Sequence, residues 1–196
     1  MAGTRQLFMF FTFYAAVRIF IIKDESMLLT DAKKLIENYR LNTAAPQKWA
    51  DLGSGNGLFS KALLSLLPAG STVYAIDQKP FTFTDPGIQF LEMDFEKGEL
   101  PLPLLDGIMM ANSFHFVKEK LALLQQLKKH LLPGAVFLLA EYDTETANRW
   151  VPYPLSYSSA IHLFKQAGFD TIEKINERQS VYNSAKIYSA YIYRSA

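Results

Sequence analysis

The stretch that most constrains this chain reads Lys48-Trp49-Ala50-Asp51-Leu52-Gly53-Ser54-Gly55-Asn56-Gly57-Leu58-Phe59. A short apolar run of strand character ends on an acid, three alternating glycines follow, and an amphipathic helix begins. Gly53 permits a sharp turn, Gly55 lets the backbone approach a ligand closely, and Gly57 lets the helix start tight against a sheet. The helix start presents free backbone N–H groups and a partial positive charge to an anionic group. Such a strand–turn–helix builds a nucleotide-type site at the end of a first β-strand.

The remaining patterns alternate in the same way. A helix is predicted over about Asp31 to Tyr39, with Ala32, Leu35, Ile36 and Tyr39 on one face. After strand one (Lys48 to Leu52), Leu58, Phe59, Ala62, Leu63, Leu66 and Leu67 form a helical stripe that Pro68-Ala69-Gly70 stops. Strand two is Thr72 to Ile76, ending at Asp77. The segment from Gln78 to Gly87, with two prolines, is too short for a crossover containing a full helix. Strand three spans Ile88 to Met93 and ends at Asp94-Phe95; strand four, Leu104 to Ala111, is nearly all apolar, as for a strand covered on both faces. A helix over Lys118 to Leu132, closed by Pro133-Gly134, leads to strand five, Ala135 to Ala140, and then Glu141-Tyr142-Asp143. An aromatic insert (Thr144 to Tyr157) and a helix (Ser158 to Ala167) precede two β-like runs, Thr171 to Arg178 and Lys186 to Tyr193, with a turn at Tyr182-Asn183-Ser184. Strand–helix alternation closed by an antiparallel hairpin predicts an α/β, Rossmann-like three-layer sandwich around a mostly parallel seven-stranded sheet.

The acid followed by G-x-G-x-G over Asp51 to Gly57 resembles the first motif of class I S-adenosylmethionine-dependent methyltransferases. Asp77, Asp94-Phe95 and the run from Leu105 to Val117 fall in the family's order at the ends of strands two, three and four, and the terminal hairpin also matches. The resemblance covers Met27 to the C-terminus and implies S-adenosyl-L-methionine as cofactor. It further implies a cofactor site of Asp51, Gly53, Ser54, Gly55, Asn56, Gly57, Asp77, Gln78, Asp94, Phe95 and Asn112. Within it, Asp51 lies near the methionyl amino group, Asp77 on the ribose hydroxyls and Asp94-Phe95 on the adenine. A dinucleotide oxidoreductase shares a glycine turn with a later acid, but here Leu58 stands where the third glycine of G-x-G-x-x-G belongs. A cofactor-binding subunit without transferase activity is the other alternative.

The acceptor side is read from the strand-four and strand-five ends. His115 stands where the family faces the transferred methyl group and is the candidate base; the competing reading is a loop histidine bonded to backbone. Tyr142, Arg149, Trp150 and Tyr153 are expected to wall the acceptor pocket, Arg149 recruiting an anion. The competing reading of that insert is a proline-stiffened loop over the sheet edge. Asn112 lacks the following Pro-Pro-aromatic pattern of amino-nitrogen methylases.

Composition narrows the partners. A net charge of +1 over 196 residues gives no footprint for nucleic acid and favours a small-molecule acceptor. The chain has no cysteine, which excludes disulfides and thiolate–zinc sites and fits the cytoplasm, and its three histidines form no close-spaced metal motif. Residues 1–26 stand apart. Leu7 to Ile22 is apolar except for Thr12 and Arg18, short for a membrane helix and without a cleavage site after it. Membrane contact through 7–22 is thus disfavoured against Met27 as the start of the domain, which then runs 27–196.

Overall fold

The computed structural model describes residues 27–180 and 185–194. The apolar segment at 7–22 and the hairpin turn at 182–184 lie outside them. Seven strands form one sheet: β1 (Lys48–Leu52), β2 (Thr72–Asp77), β3 (Ile88–Glu92), β4 (Leu105–Ala111), β5 (Leu131–Tyr142), β6 (Thr171–Gln179) and β7 (Lys186–Tyr193). Their order is β3-β2-β1-β4-β5-β7-β6. The first five run parallel, and β7 is antiparallel to both β5 and β6. Among the described residues the α-helices are α1 (Leu29–Ile36), α2 (Leu58–Leu64), α3 (Lys120–Leu127) and α4 (Tyr157–Gln166). The expected three-layer sandwich is what the chain builds.

The strand alternation of period two sorts the core onto two faces. Trp49, Val73, Met109, Leu138 and Tyr191 pack with Ala32, Leu35 and Ile36 of α1 and Phe59, Ala62 and Leu63 of α2. Ala50, Leu52, Met110, Leu139 and Ile192 pack on the other face, with Leu123, Leu124 and Leu127 of α3 and Ala160 and Phe164 of α4. The same alternation puts Asp51 on the α2 face, two residues from Trp49. Each fully buried large side chain contributes about 1.5–3 kcal/mol.

Three boundaries differ from expectation. The first helix stops at Ile36 because Glu37 turns extended, and Asn38 then caps a separate 3-10 turn at Tyr39–Leu41. Its terminal carbonyls are met by the hairpin instead: the Ser189 hydroxyl donates to Leu35 O at 2.5 Å and Asn176 Nδ2 to Lys34 O at 2.8 Å. The helix after strand four ends at Leu127, followed by a 3-10 turn at Lys128–His130. Pro133-Gly134 does not close that helix. It lies inside β5, where pairing with β4 jumps from Leu105–Leu131 to Gly107–Val136, a shift that tolerates a proline and a glycine at φ +79°. As expected, residues 78–87 contain no helix.

Candidate functional site

The glycine turn leaves β1 beside β2, where the N–H groups of Gly53 and Ser54 both donate to Ile76 O. Gly53, Gly55 and Gly57 all have positive φ, which a Cβ would strain. A Cβ on Gly57 would also meet Phe83 Cε1 at 2.1 Å, because the short β2–β3 loop folds that ring onto the turn. At Gly55 the equivalent space is empty to 4 Å.

That space belongs to a cleft of about 480 Å³ lined by Gly53, Ser54, Gly55, Asn56, Asn112 and Tyr142, with Leu58, Phe59 and Ala111 between them. Met27, Arg178, Gln179 and Ile187 complete it from α1's approach and the hairpin. Two enclosed polar atoms of its lining residues, Ser54 Oγ and Asn112 Oδ1, have no hydrogen-bond partner in the protein. Buried polar groups are normally satisfied, so both atoms hold unused hydrogen-bonding capacity. Asn112 is also the one non-glycine described residue at positive φ (+53°), held by its N–H donating to Ala140 O at 2.8 Å.

Around this cleft the acids take distinct states. Asp77, at the end of β2, accepts the Gly55 N–H on Oδ2 and the Lys79 N–H on Oδ1, each at 2.9 Å, and so braces the turn. A carboxylate has about four acceptor sites, so lone pairs remain. Asp94 closes the β3 end; the Lys97 ammonium at 2.8 Å holds its carboxyl below the usual range, opposed by partial desolvation and aided by Glu96 N–H and by Gln78. Gln78 and Asp94 are thereby neighbours. Asp51 is enclosed beneath the turn, with the Ser60 hydroxyl donating at 2.5 Å. Burial pushes its carboxyl up to about 7, the Ser60 bond opposing and the Asp77 charge adding. Phe95 is 8% exposed and packs in the core, its ring 3.6 Å from where a Gly53 Cβ would stand.

On the strand-four side, His115 is buried. Its Nδ1 lies 2.8 Å from Glu141 Oε2, and its backbone N–H donates to Glu141 Oε1 at 3.1 Å. The ring packs on Phe116 and, at 5.8 Å, on Tyr142, a residue of the cleft lining; His115 itself does not line the cleft. The insert docks on the outer side of His115: Tyr153 N–H donates to His115 O, and Lys120 Nζ to Tyr153 O. Arg149 stacks over Trp150, which is 73% exposed. Of the four residues expected to wall the acceptor pocket, Tyr142 lines the cleft; Arg149, Trp150 and Tyr153 do not.

A family profile described as a methyltransferase domain matches residues 26–187. The chain belongs to that family. Membership of a methyltransferase-domain family sets the dinucleotide oxidoreductase reading aside. Solved structures agree in fold. Human N-acetylserotonin methyltransferase in complex with SAM is 19% identical, with a TM-score of 0.61 over 85% of this chain and 52% of its own. An arsenic(III) S-adenosylmethionine methyltransferase from Chlamydomonas reinhardtii is 14% identical (TM-score 0.59, 76% and 64%). The Burkholderia thailandensis 1,6-didemethyltoxoflavin-N1-methyltransferase is 15% identical (0.63, 95% and 86%). The chain thus spans about half the length of the human protein and under two thirds of the Chlamydomonas one. No curated protein sequence matches it.

Two residues at or beside the cleft, Glu141 and Arg178, were not among those expected from sequence. Glu141 carried a signal, an acid ending the apolar run Phe137-Leu138-Leu139-Ala140. Arg178 carried none, since it sits in a strand of mixed exposure. Among the described residues no group of three or more His, Asp or Glu is placed to hold a metal, and no helix is long and apolar enough to cross a membrane.

Proposed function

We propose that this methyltransferase binds S-adenosylmethionine along the edge from Asp77 to Asn112 and methylates a small-molecule acceptor in the adjoining part of the cleft. The observation that carries this reading is the pair of orphaned atoms, Ser54 Oγ and Asn112 Oδ1, in two residues from different strand ends that line one cleft beside an open glycine. When bound, the cofactor supplies a methyl group already activated on a sulfonium, which an acceptor lone pair takes by in-line displacement.

The protein's part is mainly alignment and exclusion of water. The Gly53–Gly57 turn offers backbone close to the ligand, and Asp77 keeps lone pairs for a diol. Asp51 lies beneath the place we assign to the methionyl ammonium, and Gln78, Asp94 and Phe95 close the adenine end. Ser54, Asn56 and Asn112 contribute polar contacts, and Tyr142 an aromatic wall. His115, fixed by Glu141 and packed on Tyr142, is kept as the candidate base. The insert carrying Arg149, Trp150 and Tyr153 is kept as an outer cover of that region. A near-zero net charge supports a small acceptor over nucleic acid, and a cysteine-free chain supports the cytoplasm. We take 27–196 as the functional domain.

Calorimetric titration with S-adenosylmethionine, S-adenosylhomocysteine and NADH tests the reading. Micromolar binding of the first two alone is the expected result. Binding of NADH alone overturns it. Binding without turnover over a broad acceptor panel favours a non-catalytic subunit.

A further inference from the structure

The cleft continues well past the residues assigned to the cofactor. Along the C-terminal edge of the sheet the order is Asp77 on β2, the glycine turn after β1, Asn112 after β4, Tyr142 on β5, Ile187 on β7 and Arg178 on β6. Arg178 therefore stands three strands beyond Asn112, on the side away from Asp77, yet lines the same cleft. Apart from Tyr142 it is the one ionisable side chain among the lining residues; the rest of that end is Met27, Leu58, Phe59, Ala111 and Ile187 with Gln179.

The guanidinium is held on one enclosed nitrogen, while the side chain as a whole keeps 25% of its surface exposed where it lines the cleft. Its Nη1 lies 3.3 Å from Asp31 Oδ2 of α1, an ion pair that ties β6 to the helix. The geometry is not that of a hydrogen bond, and Nη1 is an enclosed atom without a hydrogen-bond partner. A guanidinium carries five N–H donors in a planar fork that matches a carboxylate. Nearby Asp31 offsets part of its charge, which suits a monoanion better than a phosphate dianion. Flanking it with apolar and aromatic walls defines a compartment for a flat, apolar body that ends in one carboxylate.

We infer that Arg178 is the specificity-determining residue of the acceptor site and that the acceptor is an apolar or aromatic carboxylate. This rests on the cofactor reading above, because it assigns the Asp77–Asn112 part of the edge to S-adenosylmethionine. The alternative source of the same chemistry is the methionyl carboxylate of the cofactor itself.

The test compares benzoate with benzamide as probes on the protein saturated with S-adenosylhomocysteine, by calorimetry or ligand-observed NMR. Benzoate is expected to bind roughly tenfold tighter than benzamide, the value of a charged hydrogen-bonded contact. Arg178→Met is expected to abolish that preference while leaving S-adenosylhomocysteine affinity unchanged. Arg178→Lys keeps the charge opposite Asp31 without the fork, and it is expected to reduce the preference even if the Met variant fails to fold. Equal binding of the two probes, or a preference that survives both substitutions, overturns the inference. A loss of S-adenosylhomocysteine affinity in Arg178→Lys assigns the arginine to the cofactor and also overturns it. Failure of the wild type to bind S-adenosylhomocysteine at all sinks the cofactor reading, and this inference with it.

Discussion

Glu141 grips His115 twice, Oε2 on the ring Nδ1 at 2.8 Å and Oε1 on the backbone N–H at 3.1 Å. An ionised carboxylate only accepts, so this pairing puts the ring proton on Nδ1 and leaves Nε2 as the basic atom. The contact joins the ends of β4 and β5 inside the core rather than within the cleft. Glu141→Ala leaves two buried donors without an acceptor and is expected to lower stability by about 1–3 kcal/mol for each. Glu141→Gln keeps a carbonyl oxygen for one of them and is expected to lose less. Urea denaturation of the two variants checks the order. S-adenosylhomocysteine affinity is expected to stay unchanged in both, since neither residue lines the cleft.

Gly55 and Gly57 share a left-handed backbone but face different neighbours. A side chain at Gly55 enters open cleft, whereas one at Gly57 collides with the Phe83 ring. Gly55→Val is therefore expected to keep the fold, at a strain of about 1–2 kcal/mol, and to abolish cofactor binding. Gly57→Ala is expected to cost more stability, and adding Phe83→Ala to recover part of it. Thermal melts and calorimetry on the three variants separate the two effects. A Gly55→Val protein with native affinity would move the cofactor elsewhere.

These contrasts show where sequence reasoning reached and where it stopped. The turn from Asp51 to Gly57 was legible because positive φ at alternate positions calls for glycine, and the acid at each strand end followed from the order of the elements. Local periodicity could not find the end of α3, because Lys128 to Leu132 continues its polar–apolar pattern while β5 takes Leu131 through pairing with Leu105. The competition between a helical turn and a ladder is decided by the sheet, which the local window does not contain. The same limit hid Arg178: its role depends on α1 and on strands remote in sequence meeting at one edge. The Trp150 segment left two readings open, a cover of the pocket or a stiffened loop at the sheet edge, because sequence does not show which aromatic residues turn inward. In the fold Val151 and Leu155 anchor the insert in the core while Trp150 is exposed.

Asp77 holds the turn before any ligand arrives, through Gly55 and Lys79. Asp77→Ala removes both that brace and the proposed diol acceptor. It is expected to weaken S-adenosylhomocysteine binding by about 1–3 kcal/mol, with a smaller loss of stability because both donors are near solvent. Asp77→Asn retains one acceptor and is expected to fall between. Calorimetry on both, alongside melting curves, distinguishes lost contact from a loosened turn. An unchanged affinity in the alanine variant would remove Asp77 from the site.

Asp51 makes the site sensitive to pH in a direction that can be worked out. Its carboxyl titrates near 7 in the fold against an ordinary 3.8, chiefly because burial disfavours the charge. Between those values the folded state holds the extra proton, so this group's contribution is full at acid pH and is lost as pH rises through about 7. The span corresponds to about 4 kcal/mol of stability on the scale of 1.36 kcal/mol per unit. Asp51→Asn, which cannot ionise and keeps an acceptor for Ser60, is expected to lose that slope and to be the more stable protein at pH 8. Denaturation midpoints from pH 5 to 8 test this. The cofactor reading adds an opposite trend in binding: a methionyl ammonium placed over Asp51 stabilises the carboxylate and drives a proton off it. S-adenosylhomocysteine is then expected to bind more tightly at pH 8 than at pH 6, with proton release detectable as a buffer-dependent heat. Asp51→Asn is expected to bind more weakly and without proton release. A wild-type affinity that is flat across this range would detach Asp51 from the ligand and leave it as a buried acid bonded to Ser60.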